Sequence, residues 1–299
     1  MVEGGKEKPV RKHPFRAALA ACLLITVIFV GLLWVLSSSG LHLVQPEGRL
    51  GLVEIKGVIL ESEQILADLR RFQEDPSIKG VMVRVDSPGG GVGASQEIFQ
   101  ELYRTTQFKP VICSMGAVAA SGGYYVAAAC TRIVANPATL TGSIGVISSF
   151  PNLQSLFEKI GFSNEIIASG PLKGAGQLDR PLNDQERAMF TALTQDFYNQ
   201  FVADIARARK MDEAAVRAVA DGRIFSGKEA LQFGLVDELG NYTDALGLAY
   251  NLSGLSRDAE VVRHRERGSW MELFLDQQSL SYWRAFVNPH PGPQYLYQP

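Results

Sequence analysis

Residues 116–130 have the sequence GAVAASGGYYVAAAC, a small, apolar stretch in which the predicted strand PVICSMG passes into a short helix. A single hydroxyl, that of Ser121, stands immediately before the Gly–Gly pair at the start of this helix. At a buried position where the hydroxyl has no role, alanine would serve equally well. The presence of a serine therefore indicates that its hydroxyl has a role, and two roles are possible. Either the hydroxyl caps the helix, or it acts as a nucleophile. Tyr124 and Tyr125, which follow it, are interpreted as packing residues.

Short β-branched runs alternate with helical patterns on both sides of this stretch. The segments LGLVEIKGVI and GVMVRVDS are predicted strands, and ESEQILADLRRFQEDP is a predicted amphipathic helix. The longest predicted helix begins at Asn183, a candidate N-cap with Glu186 at capping-box spacing, and ends near Lys210. Such alternation predicts an α/β domain with crossover connections over residues 50–255.

The composition excludes several classes of protein. The chain of 299 residues carries a formal net charge of −2, so no overall field favours nucleic acid as a partner. Its three cysteines have neither metal-ligand spacing nor a disulfide framework. We therefore predict no metal, no organic cofactor and no nucleic-acid partner.

The N-terminal region predicts a membrane anchor. Residues 1–16 are basic, and residues 17–36 form a run of 20 residues without a charge. As a helix this run is about 30 Å long, which matches the hydrocarbon core of a bilayer. Positive-inside reasoning places residues 1–16 in the cytoplasm and everything after Leu36, beginning with a linker at 37–49, outside it. The alternatives are a cleaved secretory signal and a lipoprotein box at residues 19–22.

A serine nucleophile in this domain needs a base other than histidine. The four histidines all lie outside residues 43–263, which makes a Ser–His–Asp arrangement within the α/β domain untenable. Lys173 stands out among the lysines because glycines and small residues flank it in ASGPLKGAG, with no acidic neighbour from Ala168 to Leu178. A lysine in such a setting can lose its hydration and become neutral, as a general base requires.

The glycines of VDSPGGGV, residues 85–92, follow a predicted strand and precede a predicted helix. Glycine lets the backbone approach a ligand closely, so the amides of Gly89 or Gly90 are candidate donors to an oxyanion. An ordinary strand–helix turn is the alternative. A phosphate-binding loop is not supported, because no GKS or GKT follows.

Together, VDSPGGGV, MGAVAASGGYYVAAAC, LTGSIGVI and the glycine-flanked lysine resemble the signal peptide peptidase A (SppA) family of membrane-anchored Ser–Lys peptidases. The resemblance covers roughly residues 50–250 and implies a ClpP/crotonase-like fold of repeated β-β-α units. Position by position it implies that Ser121 is the nucleophile and Lys173 the general base. It further implies that Gly89 or Gly90 binds the oxyanion and that Ser143 orients the lysine.

The chain has one copy of these motifs, so it resembles the short form of the family. That form implies homo-oligomeric rings in which Ser121 of one protomer meets Lys173 of its neighbour. The implied substrates are remnant signal peptides or similar apolar peptides in extended form. The implied location is the bacterial inner membrane, with a single-pass anchor and an extracytoplasmic peptidase domain.

Three other functions remain alternatives: a peptidase specific for one membrane protein, such as a stomatin-type partner, a crotonase-like acyl-CoA enzyme, and a catalytically silent membrane scaffold. Residues 256–299 differ in character from the domain. They combine an amphipathic aromatic segment, 269–286, with the tail PGPQYLYQP. We expect this tail to lack regular structure; the second hypothesis is that it enters the peptide groove of its own domain.

Overall fold

The computed structural model describes residues 23–31, 34, 48–263 and 294–296. The chain divides into two compact units, residues 1–46 and 47–299. In the first unit, residues 23–31 and 34 are helical, with exposed side chains. None of the helices in the described ranges combines the length and the apolar character needed to cross a bilayer. Much of the predicted anchor 17–36, and all of segment 269–286, lie outside the described residues.

The described part of the second unit contains ten strands and eight helices. The strands are β1 (Arg49–Lys56), β2 (Ile78–Ser87), β3 (Gly89–Gly91), β4 (Val111–Ala120), β5 (Arg132–Ala135), β6 (Leu140–Gly142), β7 (Ile224–Ser226), β8 (Glu238–Leu239), β9 (Val261–Arg263) and β10 (Gln294–Leu296). The helices are α1 (Glu63–Glu74), α2 (Val92–Thr105), α3 (Gly122–Ala128), α4 (Gln154–Ile160), α5 (Asp184–Arg209), α6 (Glu213–Arg217), α7 (Gly227–Gln232) and α8 (Tyr242–Ser253).

Eight of the strands form one mainly parallel sheet, in which β7-β6-β4-β2-β1-β9 are successive neighbours. The ten-residue strand β4 serves two partners on one edge: its first half pairs with β5 and its last three residues pair with β6. Only β7 runs antiparallel to its neighbour, β6. The strand–helix alternation in the sequence is the physical origin of this arrangement, and the predicted α/β class is confirmed.

Both faces of the sheet are covered, which is why its strands are almost continuously apolar. Successive side chains point to opposite faces. Val81, Val83 and Val85 of β2 enter the larger core, which α1, α2, α3 and α5 cover. Met82, from the same strand, enters a smaller core under α8.

Several local predictions hold. Asn183 caps α5, and Glu186 completes the capping box. Tyr124 and Tyr125 are fully buried, as packing residues should be.

The tail prediction was wrong for residues 294–296. These residues form β10, which pairs antiparallel with β3 of the glycine turn. The two short strands supply each other's main-chain partners, so neither needs a side-chain pattern of its own.

Candidate active site

Ser121 lies at a strained turn between β4 and α3. Its φ of 52° and ψ of −119° fall outside the regions that residues with a side chain normally occupy. Two backbone bonds hold the turn: the Ser121 N–H donates to Gly142 O at 2.8 Å, and the Tyr125 N–H donates to Ser121 O at 2.8 Å. Although Ser121 occupies the N-cap position of α3, its hydroxyl makes no capping hydrogen bond. Capping therefore does not explain the serine.

The surroundings of Ser121 are tightly packed. Every residue of α3 is buried, and Ser121 itself is 1 % exposed. Ser87, at the end of β2, pairs with Ala119 of β4, two residues before Ser121. A Cβ on Gly123 would lie 2.5 Å from Ser87 O, so a glycine is needed for this close approach. The turn after β2 is thereby held against the start of α3.

The main-chain groups of β3 point in alternate directions. The Gly89 N–H donates to Ser87 Oγ at 3.1 Å. The Ile59 N–H donates to Gly89 O, and the Gly91 N–H donates to Ile59 O, both at 2.8 Å. Because successive residues of a strand face opposite sides, the N–H and C=O of Gly90 face away from Ile59. That is the edge on which Gly90 pairs with Tyr295 of β10.

Ser143 is close to Ser121 through the pairing of β6 with β4. Ala120 is in register with Gly142, so the next residues along these parallel strands are Ser121 and Ser143. Both have positive φ, 50° in the case of Ser143. The Ser143 N–H donates to Arg223 O at 2.7 Å. The structure thus brings together two of the predicted site residues.

The segment that carries the acceptor for Ser143 is stabilised by a charged pair. Arg223 Nε donates to both carboxylate oxygens of Asp221 at 2.8 Å. The hydrogen bonds from the Arg223 side chain lower the pKa of Asp221 to about 2. Asp221 is therefore ionised at all physiological pH values and keeps Arg223 in place.

Lys173 is separate from these residues. It lies in the loop between α4 and α5, where its N–H donates to Gly170 O at 3.1 Å, and its side chain is exposed. Within the described residues, no hydrogen bond joins Lys173 Nζ to Ser121 Oγ. The structure does not show the burial predicted for Lys173, because the small residues around the lysine form a surface loop that leaves its side chain exposed.

An open cavity of about 720 Å³ adjoins the Lys173 loop. Its lining comes from residues 164–180 and includes Gly170, Gly174 and Arg180. None of the predicted site residues around Ser121 contributes to this lining. The cavity is consequently a feature of the lysine-bearing loop and not of the nucleophile.

Gly122 is a candidate residue that the sequence argument missed. It follows Ser121 and opens α3, and amides of the first helical turn have no acceptor within the helix. In strand–nucleophile–helix turns, the amide after the nucleophile commonly binds the oxyanion. The sequence signal that could have identified Gly122 was the order of a predicted strand, a serine and a predicted helix. Among the described residues, no group of three or more His, Cys, Asp or Glu side chains is arranged to hold a metal ion.

The family model described as "Peptidase family S49" matches residues 104–256. A Synechocystis protein described as a protease is 42% identical over 212 residues, which are 70% of this chain and 76% of that protein. An Enterococcus faecium protein given the name signal peptide peptidase SppA is 37% identical, with 68% of this chain and 59% of that protein covered. Protease 4 of Haemophilus influenzae is 32% identical over 71% of this chain and 36% of its own length.

Proposed function

Because the chain belongs to peptidase family S49, a family of serine peptidases, we propose that it hydrolyses peptide bonds with Ser121 as nucleophile and Lys173 as general base. The observation that carries this proposal is the strained backbone of Ser121, whose hydroxyl does not cap the helix that follows. A fold maintains such strain where it presents a reactive group. A silent scaffold has no need of it.

The chemistry follows in two halves. Ser121 Oγ attacks the substrate carbonyl carbon while its proton passes to the neutral amine of Lys173, which then protonates the leaving amine. Water hydrolyses the resulting acyl-enzyme with Lys173 again as the base, and Ser121 regains its proton. Lysine takes this role because no histidine lies within residues 43–263. Ser143, next to Ser121 in the register, is proposed to orient the amine.

For the oxyanion we propose the amides of Gly90 and Gly122. The Gly89 N–H is already bonded to Ser87 Oγ, whereas the Gly90 N–H faces the edge on which β3 pairs with β10, where a substrate strand would take the place of β10. Two amide donors preorganised around the developing charge are the usual arrangement in acyl transfer. This assignment selects Gly90 over Gly89 and adds one donor to the predicted set.

We propose that the site is completed by a second copy of the chain. Ser121 is in the core, while Lys173 is on an exposed loop without a hydrogen bond to it in the described residues. The same region exposes large apolar side chains, among them Ile160, Phe162 and Ile167. An apolar surface of this kind marks an interface, and a closed homo-oligomer would place Lys173 of one protomer beside Ser121 of the next.

The substrate is proposed to be an extended peptide that pairs with the same edge of β3 that β10 occupies in this structure. The chain's own residues 294–296 use this edge as an antiparallel strand, which demonstrates that its main-chain groups accept one. We therefore propose that the C-terminal tail competes with substrate. We propose that the substrates are apolar peptides such as remnant signal peptides. We also propose that residues 17–36 anchor the chain in a membrane and that the domain has a ClpP/crotonase-like fold.

The decisive experiment uses a serine-reactive fluorophosphonate and a peptide substrate on the detergent-solubilised full chain. We expect Ser121→Ala and Lys173→Ala each to lower kcat by about 10⁴-fold, and both to lose labelling, with assembly unchanged on a sizing column. If neighbouring protomers share sites, mixing the two inactive chains restores about a quarter of the sites, because random 1:1 mixing fills a closed ring statistically. Labelling that survives in Lys173→Ala would show that another group is the base.

A further inference from the structure

The loop that carries Lys173 has little regular structure of its own. Its internal bonds are turn contacts, such as that from the Ala175 N–H to Leu172 O at 3.2 Å. No residue from 145 to 185 is buried. A general base, however, acts only when its nitrogen is held within hydrogen-bonding reach of the nucleophile. Something outside the loop has to fix its backbone.

Arg180 provides a bridge from this loop to the long helix α5. Its Nη2 donates to the carbonyl oxygen of Gly174, the neighbour of Lys173, at 3.2 Å. Its Nη1 donates to Glu186 Oε2 at 2.8 Å, and Nη2 also donates to Glu186 Oε1. One guanidinium therefore holds the backbone next to Lys173 and a carboxylate of α5 at the same time.

Glu186 is in turn fixed within the first turn of α5. Its side chain is completely buried although it is charged. Glu186 Oε2 accepts the Asn183 N–H at 3.1 Å, and the Glu186 N–H donates to Asn183 Oδ1 at 2.9 Å. Hydrogen bonds from Arg180 are the main cause that lowers the pKa of Glu186, so the carboxylate stays ionised. A buried carboxylate that is bonded on both oxygens has no freedom to rotate.

The far end of α5 belongs to the main core. Phe201, Val202 and Ile205 are fully buried there, so the helix is a rigid support. A second contact supports the loop: the ring of Phe190 in α5 packs at a tilt against that of Phe150, with a centroid distance of 4.2 Å, beside Gly176 of the loop. The path from the core to the backbone of Lys173 runs through α5, Glu186 and Arg180.

We propose that Arg180 and Glu186 are positioning residues that hold Lys173 at the place where it meets a serine nucleophile. The proposal rests on the function proposed above, since it requires Lys173 to be the base. Lysine cannot replace Arg180, because a single ammonium group does not span the Gly174 carbonyl and both oxygens of Glu186.

The test compares Arg180→Gln, Arg180→Lys and Glu186→Gln with Arg217→Gln. Arg217 is the matched control: its exposed fraction is 39%, against 38% for Arg180, and it pairs with Glu213 on α6, away from the loop. For each full-length protein, kcat and KM for a peptide are measured per site titrated with fluorophosphonate, and the labelling rate is followed against pH. Melting temperature and assembly state are recorded alongside.

We expect kcat per titrated site to fall roughly 10- to 100-fold in the Arg180 and Glu186 variants, with KM little changed, because misplacement of a catalytic group by about 1 Å costs up to this much. The acid limb of the labelling profile, which reports the base, should also move. Arg217→Gln should match the wild type in both. A purely structural role would instead reduce the number of titratable sites and leave the rate per site and the acid limb unchanged.

Arg180→Lys keeps a positive charge beside the buried Glu186, so it provides a folded variant if Arg180→Gln is unstable. A wild-type rate per site in Arg180→Lys, with an unmoved acid limb, would overturn the positioning role. If Lys173→Ala still reacted with the fluorophosphonate, the assignment of Lys173 as the base would be wrong, independently of the role of Arg180. The two failures are therefore distinguishable.

Discussion

The turn around Ser121 and the loop around Lys173 are opposites in their packing. Residues 119–130 are all buried, and every residue of α3 belongs to the close-packed interior. Residues 145–185 contain no buried residue, and Ile167 is 95% exposed. The proposed nucleophile is held by the core of one chain, whereas the proposed base is presented at its surface.

Under the proposed function, the difference teaches that folding and catalytic competence are separate properties. The core around Ser121 forms within a single chain, so a monomer can be fully folded. Under the proposed function, Lys173 reaches a nucleophile only when the exposed loop meets a second copy of the chain. Changes near Ser121 should therefore affect both stability and activity, and changes in the exposed region should affect activity and assembly alone.

Outside the proposed Ser–Lys pair itself, the largest effect is expected at the β3 edge beside Ser121. A Cβ on Gly90 would lie 2.0 Å from Ile59 O, so Gly90→Ala must displace the amide proposed to bind the oxyanion. We expect a loss of about 100- to 1000-fold in kcat, the usual cost of losing one such donor. Gly91→Ala is the control, because its Cβ would lie 3.7 Å from the same oxygen, an ordinary contact. Equal activity of the two variants in a peptide assay would rule out Gly90 as a donor.

The next prediction separates the two regions directly. Ile98→Ala removes a completely buried side chain and should lower the free energy of unfolding by about 2–5 kcal/mol. Ile167→Asp should leave that free energy almost unchanged but weaken assembly and lower activity by roughly 10-fold, because it places a charge in an apolar interface. Chemical denaturation and a sizing column measure the two quantities. If Ile167→Asp assembled like the wild type, the proposed role of the exposed region in assembly would be wrong.

A smaller effect is expected at the tail. If residues 294–296 occupy the substrate edge, then a chain ending at Pro291 should cleave dilute peptide several-fold faster, mainly through a lower KM. Tyr295→Pro removes the N–H that the register directs at Gly90 and should act in the same direction. A synthetic peptide covering residues 292–299 should inhibit the shortened chain competitively. No change in KM on shortening would exclude competition by the tail.

The smallest expected effect is on the melting temperature at acidic pH. The pKa of Asp221 is lowered from 3.8 to about 2 by Arg223, so the native state favours the ionised form. This stabilisation is complete above pH 3.8 and is lost as pH falls toward 2. Since the pair is exposed, the melting temperature should decline only slightly in this window. Asp221→Asn should remove that part of the decline; an identical pH dependence in wild type and variant would contradict the assignment.

Much of the fold could be predicted, because it depends on patterns that are local in the sequence. Alternating strands and helices, and the Asn183–Glu186 capping box, are visible without tertiary information. The sequence suggested the tail in the peptide groove only as a second hypothesis, and the register of β3 with β10 was not predictable, since a run of three glycines has no side-chain pattern and its partner is about 200 residues away. The exposure of Lys173 was also missed, because flanking small residues do not reveal which surface, if any, will cover the lysine.

Within the candidate site, the sequence could predict which residues take part but not which main-chain groups they contribute. Ser121 and the glycines are recognisable from composition and spacing, whereas Ser143 was suggested only by the resemblance to the SppA family. That the Gly89 N–H bonds to Ser87 Oγ, and that Gly90 faces the edge paired with β10, depends on strand alternation relative to Ile59. Only coordinates reveal which side of a strand a given amide faces.

The unusual backbone conformation of Ser121 has a consequence for attempts to raise the thermal stability of this protein. A non-glycine residue at φ 52° and ψ −119° costs of order 1–3 kcal/mol, a penalty that glycine largely avoids. Ser121→Gly should thus melt at a higher temperature than the wild type while being inert. Directed evolution for heat resistance alone would select against the proposed nucleophile, so any thermostable descendant has to be screened for turnover in every round.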